Sequence, residues 1–187
     1  MNNERGILVV ISGPSGVGKG TIVRELIKKS KRMALSVSCT TRAPREGESE
    51  GKSYFFLTKP TFEKMIAEGG FLEYSNHFDN YYGTPKFFVE EKLKNHDVIL
   101  EIDVDGALNV KNSYPQSLLI MIAPPSRAEL AARLRGRGTE DEEVINKRLS
   151  RADYELSKSQ YYDYVVINDD LNETVNKILN IIETERR

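Results

Sequence analysis

The chain has 187 residues, room for one well-buried domain. It carries 27 basic and 28 acidic side chains, for a net charge of −1, which argues against a nonspecific nucleic-acid binder, since such proteins carry a basic excess. No apolar stretch approaches a membrane span, and the lone cysteine, Cys39, excludes an internal disulfide framework and suits a reducing compartment. The first five residues lead straight into an apolar run, which leaves no room for a signal peptide and points to a cytoplasmic protein. His77 and His96 lie in polar surroundings and form no metal-ligand cluster.

Residues 7–11 are apolar and long enough for a buried strand. Gly13-Pro14-Ser15-Gly16-Val17-Gly18-Lys19-Gly20-Thr21 follows, then Ile22, Val23, Leu26 and Ile27 on one side of a helix. Strand, glycine-rich turn and helix are the setting a G-x-x-x-x-G-K phosphate loop requires. Glycines let several N–H groups converge on one anion, the helix N-terminus adds partial positive charge, and Lys19 supplies a full one for the β- and γ-phosphates. The hydroxyl that normally follows the lysine to ligate Mg²⁺ is displaced by one position, from Gly20 to Thr21. The ion is therefore expected to be held mostly by phosphate oxygens and water.

Four further apolar runs, 35–38, 98–102, 118–123 and 164–167, alternate with helical patterns. Such runs predict an α/β fold: a five-stranded parallel sheet with helices on both faces, in three layers as in phosphate-loop NTPases. Thr84-Pro85 reads as an N-cap with proline at the first helical position. Asp105 before Gly106 reads as the cap of another helix. Ser126-x-x-Glu129, Thr139-x-x-Glu142 and Asp170-x-x-Glu173 have capping-box spacing. The last helix carries a stripe of Val175, Ile178, Leu179 and Ile182, expected to pack on the sheet.

Two stretches interrupt the alternation. Residues 39–84 hold the basic turn Thr41-Arg42-Ala43-Pro44-Arg45-Glu46-Gly47 and two aromatic strand-like pieces, at 54–57 and 71–74, with a short helix between; they read as a small insertion of mixed strands. Residues 126–151 carry Arg127, Arg133, Arg135, Arg137, Lys147, Arg148 and Arg151 around Gly136 and Gly138. Glycine-flanked arginines suit a mobile lid over phosphates. The core is then residues 1–38, 85–125 and 152–187, within one domain.

The sequence resembles the guanylate kinase family from end to end. The matching pieces are Ser12–Lys19, the run from Ser36 to Arg45, Asn80-Tyr81-Tyr82-Gly83-Thr84, Ile122-Ala123-Pro124-Pro125-Ser126, Arg133-Leu134-Arg135-Gly136-Arg137-Gly138-Thr139 and Val166-Ile167-Asn168-Asp169-Asp170. The resemblance implies Mg²⁺-dependent transfer of the ATP γ-phosphoryl group to GMP or dGMP, in purine nucleotide metabolism, by a core, a GMP-binding insertion and a lid. It implies small-molecule substrates rather than nucleic acid or membrane.

A nucleoside monophosphate brings a phosphate that wants arginine forks and hydroxyl donors. Arg42, Arg45, Tyr54 and Tyr82 supply them at positions the family uses; the bare alternative for the arginines is a solvated turn. Guanine offers N1–H and a 2-amino group, which one carboxylate can accept together, and Glu73 is the carboxylate chosen. Spacing alone leaves Glu73 equally readable as a charge on an exposed strand face. The resemblance adds Ser38 and Thr84 as hydroxyls near the base, Gly83 beside them, and Glu101 as an acid near GMP. An apolar strand ending in Asp103 has the pattern that reaches Mg²⁺ directly or through water, and Asp103 is placed with both the metal and GMP. The resemblance also carries over Arg133, Arg137 and Arg148 as lid cations acting with Lys19, and sets Asn168 and Asp169 beside the adenine. Arg135 and Arg151 read as solvated. Two alternatives remain: a phosphopeptide-binding module on the same frame with little catalysis, and a kinase for another phosphorylated acceptor.

Overall fold

Apolar runs too hydrophobic for any exposed face build the centre of the molecule. In chain order, β1 (Leu8–Ser12) leads into α1 (Lys19–Lys29) and β2 (Met33–Leu35). A second group follows: β3 (Cys39–Thr40), β4 (Phe55–Phe56), α2 (Lys59–Ala67), β5 (Phe71–His77) and β6 (Asn80–Pro85). The chain returns through α3 (Lys86–Leu93), β7 (Asp97–Glu101), α4 (Val104–Ser113) and β8 (Leu118–Ala123). Last come α5 (Arg127–Arg135), α6 (Glu142–Ser157), a 3-10 turn (Ser159–Tyr161), β9 (Tyr164–Ile167) and α7 (Leu171–Glu185). These elements belong to a computed structural model that describes residues 5–77, 79–136 and 141–186.

The main sheet runs β2-β7-β1-β8-β9 with every neighbouring pair parallel. Alternate side chains of β1 serve opposite layers, as the two-residue period of a strand requires. Val9 and Ile11 join Ile22 and Leu26 of α1 and Ile178 and Ile182 of α7. Leu8 and Val10 join Val89 and Leu93 of α3 and Val104 and Val110 of α4. The expected stripe of α7 therefore does pack on the sheet. The five apolar runs became the five strands, with one shift. The run expected at 35–38 forms a strand at Met33–Leu35. Its last ladder bond is Ser36 N–H to the Ile99 carbonyl at 2.9 Å, after which the chain leaves the sheet and its serines turn to a cavity.

The stretch after β2 forms its own four-stranded sheet, β4-β3-β6-β5, with β3 and β4 parallel and the other pairs antiparallel. The expected mixed insertion is present, and β3 and β6 were not foreseen as strands. Its small core is aromatic: Phe62, fully buried, stacks on Phe71 at 4.3 Å and on Tyr81 at 5.1 Å between ring centroids. The Ser113 hydroxyl at the end of α4 donates to the Leu72 carbonyl of β5 at 2.7 Å and ties this sheet to the main body. A third cluster, with Leu130, Leu134, Ile145 and Leu149, joins α5 to α6.

Helix starts test the capping chemistry one by one. Ser126 accepts from Glu129 N–H at 3.1 Å and Asp170 from Glu173 N–H at 2.9 Å, as expected. Thr84-Pro85 is corrected: Pro85 itself is the N-cap of α3, and Thr84 remains in β6. Asp105 is corrected as well. Asp103 caps α4, accepting from Gly106 N–H at 2.7 Å, and Asp105 lies in the first turn. Thr139 falls outside the described residues; α6 is capped by Asp141, which accepts from Val144 N–H at 2.9 Å. Asp97, fully buried at the start of β7, accepts from Ile7 N–H at 3.1 Å and pairs with Arg32 and with Arg186 near the C-terminus. A buried carboxylate needs such partners. Among the described residues no helix is long and apolar enough to cross a membrane.

Candidate active site

β1 ends in the middle of the parallel sheet, where open α/β folds place their ligands. The glycine-rich turn begins there. Gly13, Gly16 and Gly18 have φ of 143°, 88° and 99°, a region that side chains rarely enter. A side chain at Gly13 would also strike the Ile122 carbonyl, so the turn is held against β8 by close backbone contact. Pro14, Ser15, Gly18, Lys19 and Thr21 line a cleft of about 340 Å³ at the start of α1. The Lys19 ammonium folds over the turn onto the Gly13 and Pro14 carbonyls. Thr21 is exposed, and its hydroxyl accepts from Arg24 at 3.1 Å. Glu101 lines the same cleft, and its Oε1 lies 3.4 Å from where a Cβ on Gly20 would stand.

Asn168 and Asp169, expected beside an adenine, are separated by burial. Asp169 is exposed. Asn168 is buried at the end of β9, and its Nδ2 donates to the Val17 carbonyl at 2.8 Å. Its side chain lies against the glycine-rich turn.

A second cavity, of about 150 Å³, is lined by Ser38, Tyr54, Thr84 and Glu101. Glu101 is therefore shared between it and the loop cleft. Thr84 donates to Glu73 Oε1 at 2.6 Å across the β5–β6 pair. A third cavity, of about 440 Å³, has Glu73, Asp103, Asp105, Arg151 and Glu155 on its walls. Asp103, expected near the metal, faces this third space and spends Oδ1 on the α4 cap. Gly83 is buried, and a Cβ there would stand 2.9 Å from the Phe71 ring and 3.0 Å from the Glu73 carbonyl. Its place in the fold is close packing beneath β5.

The basic turn is ordered by an acid that the sequence reading passed over. Glu48 accepts from Arg42 at 2.9 and 3.0 Å and from Arg45 N–H at 2.8 Å. Arg42 in turn holds the Glu48 carboxyl below the usual carboxylate range, and Glu48, followed by the Tyr82 hydroxyl, holds the Arg42 guanidinium above its ordinary value. The Arg42 guanidinium stands 5.6 Å from the centre of the Tyr54 ring, and the Tyr54 and Tyr82 rings meet edge-on at 6.2 Å. The Arg45 residue is exposed. A Glu three residues after Arg45, in a turn otherwise basic, was the available signal for Glu48.

Of the cationic stretch, Arg148 reaches the loop: its guanidinium donates to the Ser15 hydroxyl at 2.8 Å. The Leu134 side chain comes within 2.8 Å of a Cβ position on Gly16, so α5 also covers the turn. Arg133 donates to Glu129 at 2.9 Å, and Arg137 lies outside the described residues. Arg135 and Arg151 are not simply solvated. Arg135 forms a two-pronged pair with Glu142 at 2.7 and 3.0 Å. Arg151 bridges Asp105 at 2.6 Å and Glu155 at 3.1 Å, and Tyr154 donates to Asp105 at 3.2 Å. Burial pushes the Glu155 carboxyl up against the opposing pull of Arg151. Below the cleft the Ser12 and Tyr162 hydroxyls are hydrogen-bonded, and burial raises the Tyr162 phenol to about 12. Arg151 with Asp105 and Tyr162 with Ser12 lie far apart in the chain and had no sequence signal.

The guanylate kinase family model matches residues 5–185. The chain is 52% identical over 184 residues to a guanylate kinase of Caldanaerobacter subterraneus subsp. tengcongensis, covering 98% of this chain and 89% of that protein. It is 48% identical to a guanylate kinase of Prochlorococcus marinus (strain MIT 9312), with 98% and 100% covered. The crystal structure of guanylate kinase from Anaplasma phagocytophilum aligns with a TM-score of 0.75 at 33% identity, covering all of this chain and 89% of that one. With a glycine-rich loop at the end of the central strand, a mixed four-stranded insertion and Arg148 on the loop, and matched over nearly its whole length, the chain belongs to the guanylate kinase family.

Proposed function

We propose that the protein transfers the γ-phosphoryl group of ATP to GMP or dGMP, giving ADP and GDP or dGDP. The observation that carries this reading is Glu101. It stands on the wall shared by the loop cleft and the cavity of Ser38, Tyr54 and Thr84, so donor phosphates and acceptor nucleotide have adjoining places. The relatives carry the enzyme's name, which favours the kinase over a phosphopeptide-binding module.

Each residue then has a task. Backbone amides of Gly13–Thr21 and the Lys19 ammonium hold the ATP phosphates. The lysine exchanges two backbone carbonyls for the β- and γ-phosphates. Glu73 accepts from guanine N1–H and the 2-amino group, with Thr84 and Ser38 beside it. Arg42, Arg45, Tyr54 and Tyr82 take the GMP phosphate; the Arg42 fork, oriented by Glu48, is ready for it. Adenine has no N1 hydrogen and no 2-amino group, so AMP would leave Glu73 unmatched, at about 1–3 kcal/mol per buried polar group. The attacking atom is a GMP phosphate oxygen, largely ionised near neutral pH, so no general base is required. Catalysis rests on positioning and on cations: Lys19 and Arg148 at the loop, with Arg133 and Arg137 joining them as the family resemblance implies.

Mg²⁺ fits the donor set. Glu101 offers a carboxylate at the loop cleft to an ion that would arrive on the phosphates and keep most of its waters. Glu101, on the wall of the loop cleft, is better placed for it than Asp103. When bound, the ion neutralises charge on the phosphate oxygens. The boundaries of core, insertion (39–84) and lid (126–151) describe three parts that close on the two nucleotides, and the single buried thiol suits the cytoplasm.

A coupled assay with ATP and Mg²⁺ tests the reading. GMP is expected to be turned over and AMP, UMP and ribose 5-phosphate to be poor acceptors. Equal rates with AMP, or none with GMP, would overturn it.

A further inference from the structure

We infer that Asn168 is a positioning residue for the triphosphate: its side-chain amide sets the direction of a peptide in the phosphate loop and touches no part of the nucleotide. The inference rests on the reading above, that the Gly13–Thr21 turn holds the ATP phosphates.

The Val17 carbonyl can only accept, so the atom of the carboxamide facing it is Nδ2, at 2.8 Å. Asn168 is 8% exposed. Its own N–H donates to the Ala123 carbonyl at 2.8 Å, which roots it in the β8–β9 pair. The donor thus comes from the residue directly after β9, still held to β8 by its own backbone. Among the described residues the Val17–Gly18 peptide is trans, like every other. In a trans peptide the C=O and the following N–H point to opposite sides. Pinning the Val17 carbonyl on Asn168 therefore sends the Gly18 N–H to the other side, and Gly18 lines the phosphate cleft there. Among the described residues no hydrogen bond occupies that N–H.

Two observations show how closely the parts fit. A Cβ on Gly18 would stand 2.7 Å from Asn168 Nδ2, so residue 18 must be glycine for contact as well as for its φ of 99°. Asn168 Oδ1 is buried and no hydrogen bond in the structure satisfies it. A buried carboxamide with one end orphaned persists where its other end is needed. Without the Nδ2 donor, the buried Val17 carbonyl would lose its partner, and its peptide could rotate until the oxygen faced the phosphates.

The experiment compares wild type with Asn168→Leu, which keeps the branched outline and removes the donor, and uses inorganic tripolyphosphate as a probe that has phosphates but no base. In wild type, tripolyphosphate competes with ATP. In Asn168→Leu, the affinities for ATP and for tripolyphosphate both fall, roughly tenfold and by the same factor, while the affinity for GMP stays within about twofold. Thermal melts confirm that the variant is folded; if it is not, Asn168→Ala carries the same comparison. A loss for ATP without a loss for tripolyphosphate would overturn the inference and make Asn168 an adenine contact. Unchanged affinity for both would overturn it too. If tripolyphosphate fails to bind even the wild type, the phosphate-loop reading falls, and this inference with it.

Discussion

The Thr84 hydroxyl donates to Glu73 Oε1 at 2.6 Å, from β6 to β5, on the boundary between two cavities. That bond holds a carboxylate in one orientation on a rigid strand pair, which a guanine reader needs. Replacing Glu73 by Gln keeps the shape and turns one acceptor into a donor that faces the donors of guanine. Glu73→Gln is expected to raise KM for GMP roughly thirtyfold, about 2 kcal/mol, with KM for ATP unchanged. Steady-state kinetics with each substrate varied in turn checks it, and equal rises in both KM values would remove Glu73 from the guanine site.

Lys19 reaches the Gly13 and Pro14 carbonyls of its own turn, at the rim of the cleft and outside the packed layers of the sheet, so Lys19→Ala should leave the fold standing. Turnover is expected to fall at least about a hundredfold, as for removal of one preorganised cationic donor. Circular dichroism and the coupled assay on the same sample test both halves. Near-normal kcat in a folded variant would refute the role of Lys19.

Gly83 has no room for a methyl group between the Phe71 ring and the Glu73 carbonyl. Gly83→Ala must push β5 outward, at about 1–3 kcal/mol of overpacking. Because Glu73 rides on β5, KM for GMP should rise along with the loss of stability. Melting curves lower by roughly 2–4 °C per kcal/mol at this chain length, together with GMP kinetics, measure the two effects. An unchanged KM for GMP would separate Glu73 from the packing around Gly83.

Cys39 and Tyr162 give the protein an alkaline limit. Burial raises both groups to about 12, from ordinary values of 9.0 and 10.0. For acids raised in the folded state, the linked stability is fully present below the unfolded pKa and is lost as pH climbs towards the folded one. Thermal stability should therefore decline from about pH 9 towards pH 12, and less steeply in a Tyr162→Phe, Cys39→Ala double variant. The same burial leaves almost no Cys39 thiolate at neutral pH, so a thiol reagent should react with it promptly only in denaturant. Prompt labelling of the folded protein would show that Cys39 is accessible.

Much of the architecture was legible because it is written in local order. Residues 7–11 are too apolar to be anything but a buried strand, the glycines and Lys19 follow at fixed spacing, and Ser126 and Asp170 stand where helix caps must. The misreadings have local causes too. Thr84-Pro85 carries a helix-start signal, but the β5–β6 pair claims Thr84, and Pro85 takes the N-cap position of α3 with no side-chain bond. Asp103 and Asp105 both precede Gly106 within one turn, and the aspartate that capped was the one with extended backbone at the helix entrance.

The glycine-rich turn between β1 and α1, the alternation of strands with crossover helices and the strand that carries Glu73 followed from residue order alone, because hydrogen-bond geometry and strand periodicity act over a few residues. Glu48 locking Arg42, Arg151 joining Asp105 to Glu155, Tyr162 meeting Ser12 and Asn168 bracing Val17 were decided by tertiary structure. Most of these pairs lie far apart in the chain, and a polar group finds its partner only once the sheet and its layers have excluded water from around it.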